Sequence, residues 1–324
     1  MLPQPVIRLG RRRAVGSLRK FRPSEGTEPS SIQPPSAELI AQFVAKHDAQ
    51  ESSPLFHHVL PEIRNTIFLY ALLSYEDQSI AYPNDAHYSR PEYRFSIRID
   101  TRLLQTCRLV YLETRFLPVI TYEHTFWGHR APPGITHASN PRAYFERFTE
   151  AQRDHVDRVH FFTQQFYLER NFPNVCLVPA MRPRSLKITL RHGDWWNWET
   201  NNPLKLRNGW ADKLESIARL EEVILELETM ERDKAQINAI AERVRKETYP
   251  ASNGRIFTAR GNPLVRSEWM GPNRLSNLFF DSSQNKWVAR NLKAEENVPD
   301  PGLKYCIVCI KWTARTKDEE LNWY

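Results

Sequence analysis

Two segments of the chain each carry a Glu and an Arg separated by one residue. VLPEIRNTIFLYALL contains Glu62 and Arg64, and LLQTCRLVYLETRFL contains Glu113 and Arg115. Such ions could serve catalysis or structure. A catalytic carboxylate needs a nucleophile beside it or surroundings that shift its pKa, and the sequence shows neither. The pattern therefore favours structural pairing, in which Arg64 or Arg108 donates to Glu113 between neighbouring helices.

The pair Cys306 and Cys309, in LKYCIVCIKW, is the second arrangement that could do chemistry, as a metal or redox site. The segment reads as a strand, and residues three apart on a strand face opposite sides and lie roughly 10 Å apart. Two thiolates placed in this way cannot hold one zinc ion. Core packing is expected instead, because a free Cys behaves as a small apolar residue.

Sequence motifs for cofactors and catalysis are absent. The 11 glycines form neither G-x-G-x-x-G nor a Walker loop. The sequence also lacks H-E-x-x-H and G-x-S-x-G. We therefore expect no cofactor and assign no catalytic or metal-binding residue, although distant His residues could still meet in the fold.

The most concentrated aromatic feature is HGDWWNW, which contains Trp195, Trp196 and Trp198. It directly follows a predicted strand, where α/β proteins often form ligand crevices. Trp is also enriched among residues that dominate binding energy. Two interpretations stay open: the indoles pack the end of a sheet, or they form a contact surface for a peptide or another partner.

The positive charge of the chain is concentrated at the N-terminus. Residues 1–22 hold seven basic residues and no acid, and the whole chain has 45 Lys and Arg against 38 Asp and Glu, a difference of seven. Residues 23–324 are therefore balanced at 38 against 38. The folded body is not expected to bind nucleic acid, while the tail could be a nuclear address, a transit peptide or a solvated arm.

Cysteine content and hydropathy indicate where the chain works. Four cysteines in 324 residues do not form a disulfide framework, so a reducing, intracellular compartment is expected, either nucleus or cytoplasm. The longest charge-free stretches run to 11 residues. A membrane span needs roughly 20 apolar residues, so we expect no membrane contact.

The elements that must position these residues begin after a tail, residues 1–35, whose composition predicts disorder. Residues 36–50 should hold a short helix capped by Ser36. Residues 51–130 should form a helical module, with helices over 61–73 and from 101, a loop over 75–93 and strands over 95–99 and 120–128. In the first helix, Ile63, Ile67 and Tyr70 share one side.

Strands and helices alternate in the last predicted domain, residues 131–324. Strands are expected over 157–162, 184–191, 221–228 and 303–312, and helices over 210–219 and 231–248. This order predicts an α+β protein whose C-terminal part is an α/β region with a partly parallel sheet, in which residues 303–312 lie centrally. A degenerate leucine-rich-repeat-like solenoid is the alternative.

LPEIRNTIFLYAL followed by LLQTCRLVYLETRFLPVITYEHTF resembles a fungal F-box-like family related to two-EXR domains. The similarity covers about residues 54–127. In F-box proteins the corresponding helices dock on the adaptor subunit of cullin-based ubiquitin ligases, and a C-terminal domain captures substrate. This resemblance implies one set of docking residues: Leu60, Pro61, Ile63, Ile67, Leu104, Cys107 and Arg108. The chain departs from a compact F-box by 26 residues, Tyr75 to Asp100, between the two helices.

We therefore expect a non-enzymatic protein-interaction module of F-box-like type, acting as a substrate-recognition or scaffold component of a ubiquitin-ligase-type assembly. Its partners would be proteins, among them the ligase adaptor. The alternative is a nuclear factor whose basic tail contacts nucleic acid. An enzyme of unrecognised type ranks third.

Overall fold

The computed structural model describes most of the chain after the basic tail. The described residues are 36–82, 90–128, 131–132, 140–196, 198–200, 202–275, 278–289, 302–316 and 318–319. The predicted disorder of residues 1–35 lies outside them.

The described residues form ten α-helices and thirteen strands. The helices are α1 Ala37–Lys46, α2 Pro54–His57, α3 Pro61–Ala71, α4 Arg108–Thr114, α5 Leu117–Thr121, α6 Pro141–Glu146, α7 Glu150–Arg153, α8 Gln165–Arg170, α9 Phe172–Cys176 and α10 Lys234–Val244. The strands are β1 Tyr75–Ala81, β2 Phe95–Arg98, β3 Glu123–Trp127, β4 Arg158–Phe162, β5 Ser185–Leu190, β6 Glu222–Met230, β7 Tyr249–Pro250, β8 Ile256–Thr258, β9 Val265–Gly271, β10 Arg274–Leu275, β11 Leu278–Asp281, β12 Lys286–Ala289 and β13 Leu303–Arg315. None of the described helices is long and apolar enough to cross a membrane.

Helix α1 packs against α4. Its start is capped as predicted, because the Ser36 side chain accepts from the Leu39 N–H at 3.2 Å. Phe43 meets the Tyr111 ring edge-on, with 5.8 Å between ring centroids. Phe43, on the apolar side of the short helix, is thus one of the contacts that attach it to the rest of the protein.

The second helix of the predicted module is divided. Residues Arg102–Gln105 form a 3-10 turn, and Cys107 then takes an extended conformation as the cap of α4. Its Sγ accepts from the Val110 N–H at 3.5 Å. Pro118 lies in the first turn of α5, so α4 ends at Thr114, near the break that proline was predicted to cause.

The 26 residues between these helices contain more structure than predicted. The expected loop over 75–93 is wrong in its first half, because β1 pairs antiparallel with β2. YEDQSIA has little strand propensity, so pairing with β2 stabilises the extended conformation where local sequence does not.

The main sheet is mixed, which confirms the predicted α+β class with a partly parallel sheet. Strands β3, β4, β5 and β6 are neighbours in chain order and run parallel. Strand β13 pairs antiparallel with β6 on one side and with β8 and β9 on the other, so it lies centrally as predicted. Strand β3 precedes the predicted boundary at residue 131 yet belongs to this sheet, so residues 123–127 are part of the α/β architecture.

The predicted helix over 210–219 is wrong. Two 3-10 turns, Asn208–Ala211 and Leu214–Ser216, occupy this segment, and Ile217 is already extended. Trp210, Leu214 and Ile217 are all buried. Their packing under the sheet therefore prevails over the helical spacing that the sequence shows.

The two faces of the main sheet differ in chemistry. One face is apolar and packs against residues of α6, α8, α9 and α10; its strand residues are Val159, Phe161, Leu186, Ile188, Leu190, Val223, Leu225, Leu227, Cys306, Val308, Ile310 and Trp312. The alternate residues of the same strands place buried charged and polar groups on the opposite face.

Candidate functional site

Arg64 and Glu113 join the two parts of the helical module. Arg64 Nε lies 3.0 Å from Glu113 Oε2, and Nη2 lies 3.2 Å from Oε1, which is a bidentate pair. Phe68 and Leu72 follow Arg64 on the inward side of α3 and are buried. The ion pair therefore fixes the position of α3 against α4.

The other ions of the two motifs have separate roles. Arg108 donates to the Lys46 carbonyl at 2.9 Å and lies over the Phe43 ring, so it holds α1. Arg115 bonds to the carbonyl of Leu112 within its own helical turn. Glu62 lies in the first turn of α3, where a negative charge favours the helix dipole. Of the two arginines considered for Glu113, the structure places Arg64 there.

The outward side of α3 is apolar and exposed. Leu60, Ile63, Ile67 and Tyr70 are 67%, 55%, 45% and 73% exposed. Pro61 is also exposed, whereas Leu104 and Cys107 are half-buried. We call Leu60, Ile63, Ile67 and Tyr70 the α3 outer face. The residues implied in a first docking element thus lie together at the surface.

The tryptophan cluster is divided between core and surface. Trp195 is buried, and its Nε1 donates to the Glu228 carbonyl at 2.8 Å. Trp198 is half-buried and packs edge-on against Trp287, with ring centroids 5.0 Å apart. Trp196 alone of the three is exposed, beside a pocket of about 490 Å³.

A network of buried charges on the polar face of the main sheet was not predicted. Arg90 Nη1 donates to Glu226 Oε1 at 2.6 Å, and Lys187 Nζ lies 3.0 Å from Glu226 Oε2. Arg90 Nε lies 3.5 Å from Glu228 Oε2. Arg90 precedes β2, so the segment between the two predicted docking helices supplies the central cation of the network.

Hydrogen bonds extend the network to two further strands, β4 and β3. The Thr189 hydroxyl donates to Glu226 Oε1 at 3.0 Å and lies 2.8 Å from His160 Nε2. His160 Nδ1 is 2.7 Å from Glu123 Oε1, and the Tyr93 hydroxyl donates to the same oxygen at 3.1 Å. Strands β3 and β4 therefore each contribute one polar member, and strands β5 and β6 each contribute two.

Burial and neighbouring charges act against each other in this network. Burial by itself raises the pKa of Glu226, but Arg90 and Lys187 outweigh it and set the pKa at about 2. Burial raises the pKa of Glu228, although Arg90 opposes the rise. Burial also lowers the pKa of His160 against the attraction of Glu123, so the imidazole is neutral at pH 7.

Burial limits the chemistry that this network can perform. Cys309 Sγ lies 3.5 Å from Glu226 Oε2, but burial raises the pKa of the thiol to about 12, so the nucleophilic thiolate is not formed at neutral pH. Arg90, His160, Glu226 and Glu228 are all buried. The arrangement fixes charges inside the fold rather than presenting them to a substrate.

One signal in the sequence could have located part of this network. EVILELE in β6 alternates apolar residues with Glu222, Glu226 and Glu228, and such alternation places the acids on one side of a strand. The partner of Glu226 is 136 residues away, and no local pattern marks Arg90 for that role. The cation was therefore beyond sequence reasoning.

The two cysteines of β13 face opposite sides, as predicted from their spacing. Cys306 belongs to the apolar core, and Cys309 faces Glu226. Within the part of the chain that the structure describes, no group of three or more His, Cys, Asp or Glu residues could hold a metal ion.

Comparison of the chain with known proteins returned no match. This holds for protein-family models, for curated proteins and for solved structures.

Proposed function

We propose that the chain is a non-enzymatic protein-interaction module of F-box-like type. The helical module docks on the adaptor subunit of a cullin-based ubiquitin ligase, and the α/β part holds a partner protein as substrate or as a scaffolded component. The observation that carries this proposal is the α3 outer face, an exposed apolar surface on a helix fixed by Arg64 and Glu113.

The exposure of these apolar side chains to water is unfavourable, and this supports a docking role for the α3 outer face. Ile63 and Ile67 lie one turn apart on a helix whose inward side is already filled by Phe68 and Leu72. Large contiguous exposed apolar patches are rare on monomeric proteins and mark interaction sites. A helix with a spare apolar face is suited to insertion against a partner groove or helix.

The segment between the two docking helices is compatible with this role. It forms the β1–β2 pair and sends Arg90 and Tyr93 to the polar face of the main sheet. The α3 outer face remains exposed although this segment separates α3 from α4 in sequence. The described residues of this segment, 75–82 and 90–100, therefore pack elsewhere.

The parallel part of the sheet supports the leucine-rich-repeat-like alternative for residues 123–230. Strands β3 to β6 follow chain order, and helical segments connecting them pack on one face of the sheet. Degenerate repeats of this kind would suit a partner-binding domain. Strand β13 closes the parallel array by pairing antiparallel with β6.

Copurification tests the proposal. The full chain should copurify with the ligase adaptor subunit. A double variant that carries Leu60→Asp and Ile67→Asp should lose the adaptor, because two charges would enter the interface. Val265→Asp, at another exposed apolar residue far from α3 in sequence, is the matched control and should retain it. An adaptor that never copurifies, or Asp variants that keep every partner of the parent, would refute the docking.

A further inference from the structure

The pocket beside Trp196 lies where two parallel strands of the main sheet end. Helix α8 follows β4, and Trp196 follows β5, so both walls come from the carboxyl side of neighbouring strands. Ligands of α/β sheets characteristically bind at this edge. The lining residues are Gln165, Glu169, Arg170, Trp196, Asn202, Pro203, Lys205 and Arg207.

The floor of the pocket is held by a buried amide and a carboxylate. Gln165 is 5% exposed; its Oε1 accepts from the Trp196 N–H at 3.0 Å, and its Nε2 donates to Glu169 at 2.8 Å. Glu169 also accepts from the backbone N–H of Arg207 at 3.1 Å. The bonds tie α8 to two points of the β5–β6 connection, Trp196 and Arg207, so the site is preformed.

Cations outnumber carboxylates around the pocket. Arg170, Lys205 and Arg207 are exposed, while the Glu169 side chain is largely buried, accepts two hydrogen bonds and lies 3.9 Å from Arg207 Nε. Among the described residues, no carboxylate pairs with Arg170 or Lys205. Because residues 23–324 carry equal numbers of acidic and basic side chains, this excess is local. It attracts an anionic ligand.

Two exposed aromatic rings stand at the same place. Trp196 is 48% exposed and Phe166 is 41% exposed, and their ring centroids are 6.0 Å apart in an edge-to-face arrangement. Such rings offer apolar contact area with little conformational freedom to lose on binding.

We propose that this pocket binds an acidic peptide segment of a partner protein. The peptide places an aromatic or aliphatic side chain against Trp196 and Phe166, and its carboxylates contact Arg170, Lys205 and Arg207. The inference rests on the proposed interaction function and specifies the partner chemistry of the α/β part.

The shape and charge of the site favour a peptide over a nucleic acid. Single-stranded nucleic acids bind along a basic groove that follows several phosphates. Here three cations surround one pocket whose floor contains the Glu169 carboxylate. A short segment with acids flanking one apolar residue matches this arrangement better than a repeating phosphate chain.

Selection from a random peptide library displayed on phage tests the proposal with the intact chain. Selected peptides should combine Asp and Glu with a central aromatic or aliphatic residue. Their affinity, measured by fluorescence anisotropy, should fall as NaCl rises from about 50 to about 300 mM, because screening weakens exposed charge pairs. Trp196→Ala and Arg207→Glu should each weaken binding at least about tenfold.

Matched variants separate this site from general charge effects. Lys213→Glu with Lys246→Glu reverses two exposed cations elsewhere and should leave peptide affinity within about twofold, and thermal melts should show that all variants fold. Equal binding by the Trp196→Ala protein, or selected peptides without acids, would overturn the proposal. So would an oligonucleotide that binds the pocket in place of the peptides.

Failure here is distinguishable from failure of the proposed docking. The Ile67→Asp protein should bind the selected peptides normally, since α3 contributes no residue to the pocket. The Trp196→Ala protein should retain the adaptor subunit. If either variant lost both peptide binding and adaptor retention, the two surfaces would not be independent.

Discussion

Arg64 and Glu113 lie 49 residues apart in sequence and meet through two hydrogen bonds between a guanidinium and a carboxylate. Side-chain exposures of 11% and 26% place the pair at the edge of the packed interior. At this depth solvent screening is reduced, and the planar fork of Arg fixes direction as well as distance. The pair thus orients α3 and, with it, the α3 outer face.

Glu113→Gln tests this structural role. The amide cannot accept both Arg64 donors, so we expect a loss of about 1–2 kcal/mol in the free energy of unfolding, measured by urea denaturation. Glu62→Gln is the matched control from the other E-x-R motif and should cost about 0.5 kcal/mol or less, the size of a helix-dipole effect. Equal losses from the two variants would show that the pairing adds nothing.

The inward and outward sides of α3 should respond differently to truncation. Phe68 is 1% exposed, so Phe68→Ala should cost about 3–5 kcal/mol by leaving a cavity. Ile67→Ala, at the neighbouring position on the outer face, should cost about 1 kcal/mol or less. Thermal or urea unfolding measures both. A large loss at Ile67 would mean that its side chain is packed within the protein.

Local patterns predicted the elements whose sequence signal agrees with their final packing. Strands β4, β5, β6 and β13 and helix α3 lie near their expected positions. In β13, apolar residues on both alternating faces indicated a central strand. Strands β6 and β9 do pair with its two edges. The spacing of apolar residues was enough to predict these strands, because the faces that carry apolar residues are the faces that are buried.

Other features depended on contacts that are distant in sequence. Helix α3 has apolar residues on two sides, and periodicity could not tell that Phe68 faces inward while Ile67 faces solvent. Likewise, the Trp residues of HGDWWNW look alike in sequence. Only the fold places Trp195 under Glu228 and leaves Trp196 at the surface.

Deletion of residues 1–22 should separate the tail from the folded body. It removes seven positive charges and leaves 38 basic against 38 acidic residues. We expect an unchanged melting temperature and loss of salt-dependent retention on a nucleic-acid column, since counterion release scales with the number of cations. Replacing the seven basic residues by Gln at constant length is the control. Retention that survives both changes would place the contact in the body.

Glu226 gives the buried network a defined dependence on pH. Its pKa is about 2 in the folded protein against an ordinary value of 4.5, because Arg90 and Lys187 outweigh the effect of burial. A lowered carboxylate pKa stabilises the fold above about pH 4.5, and this contribution is lost as pH falls towards 2. Glu226→Gln should therefore cost about 3 kcal/mol at pH 7, the range for breaking a buried ion pair. The difference from the parent should shrink steadily in urea denaturations at successively lower pH.

Glu222→Gln is the matched control for that experiment, since Glu222 lies on the same face of β6 and pairs with Lys311 nearer to solvent. Its cost should be about 1 kcal/mol or less at pH 7 because the pair is partly exposed. The contrast isolates burial as the cause, since both variants replace a β6 carboxylate by an amide. A Glu226→Gln curve that runs parallel to the parent at every pH would mean that Arg90 and Lys187 do not hold this carboxylate ionised in the fold.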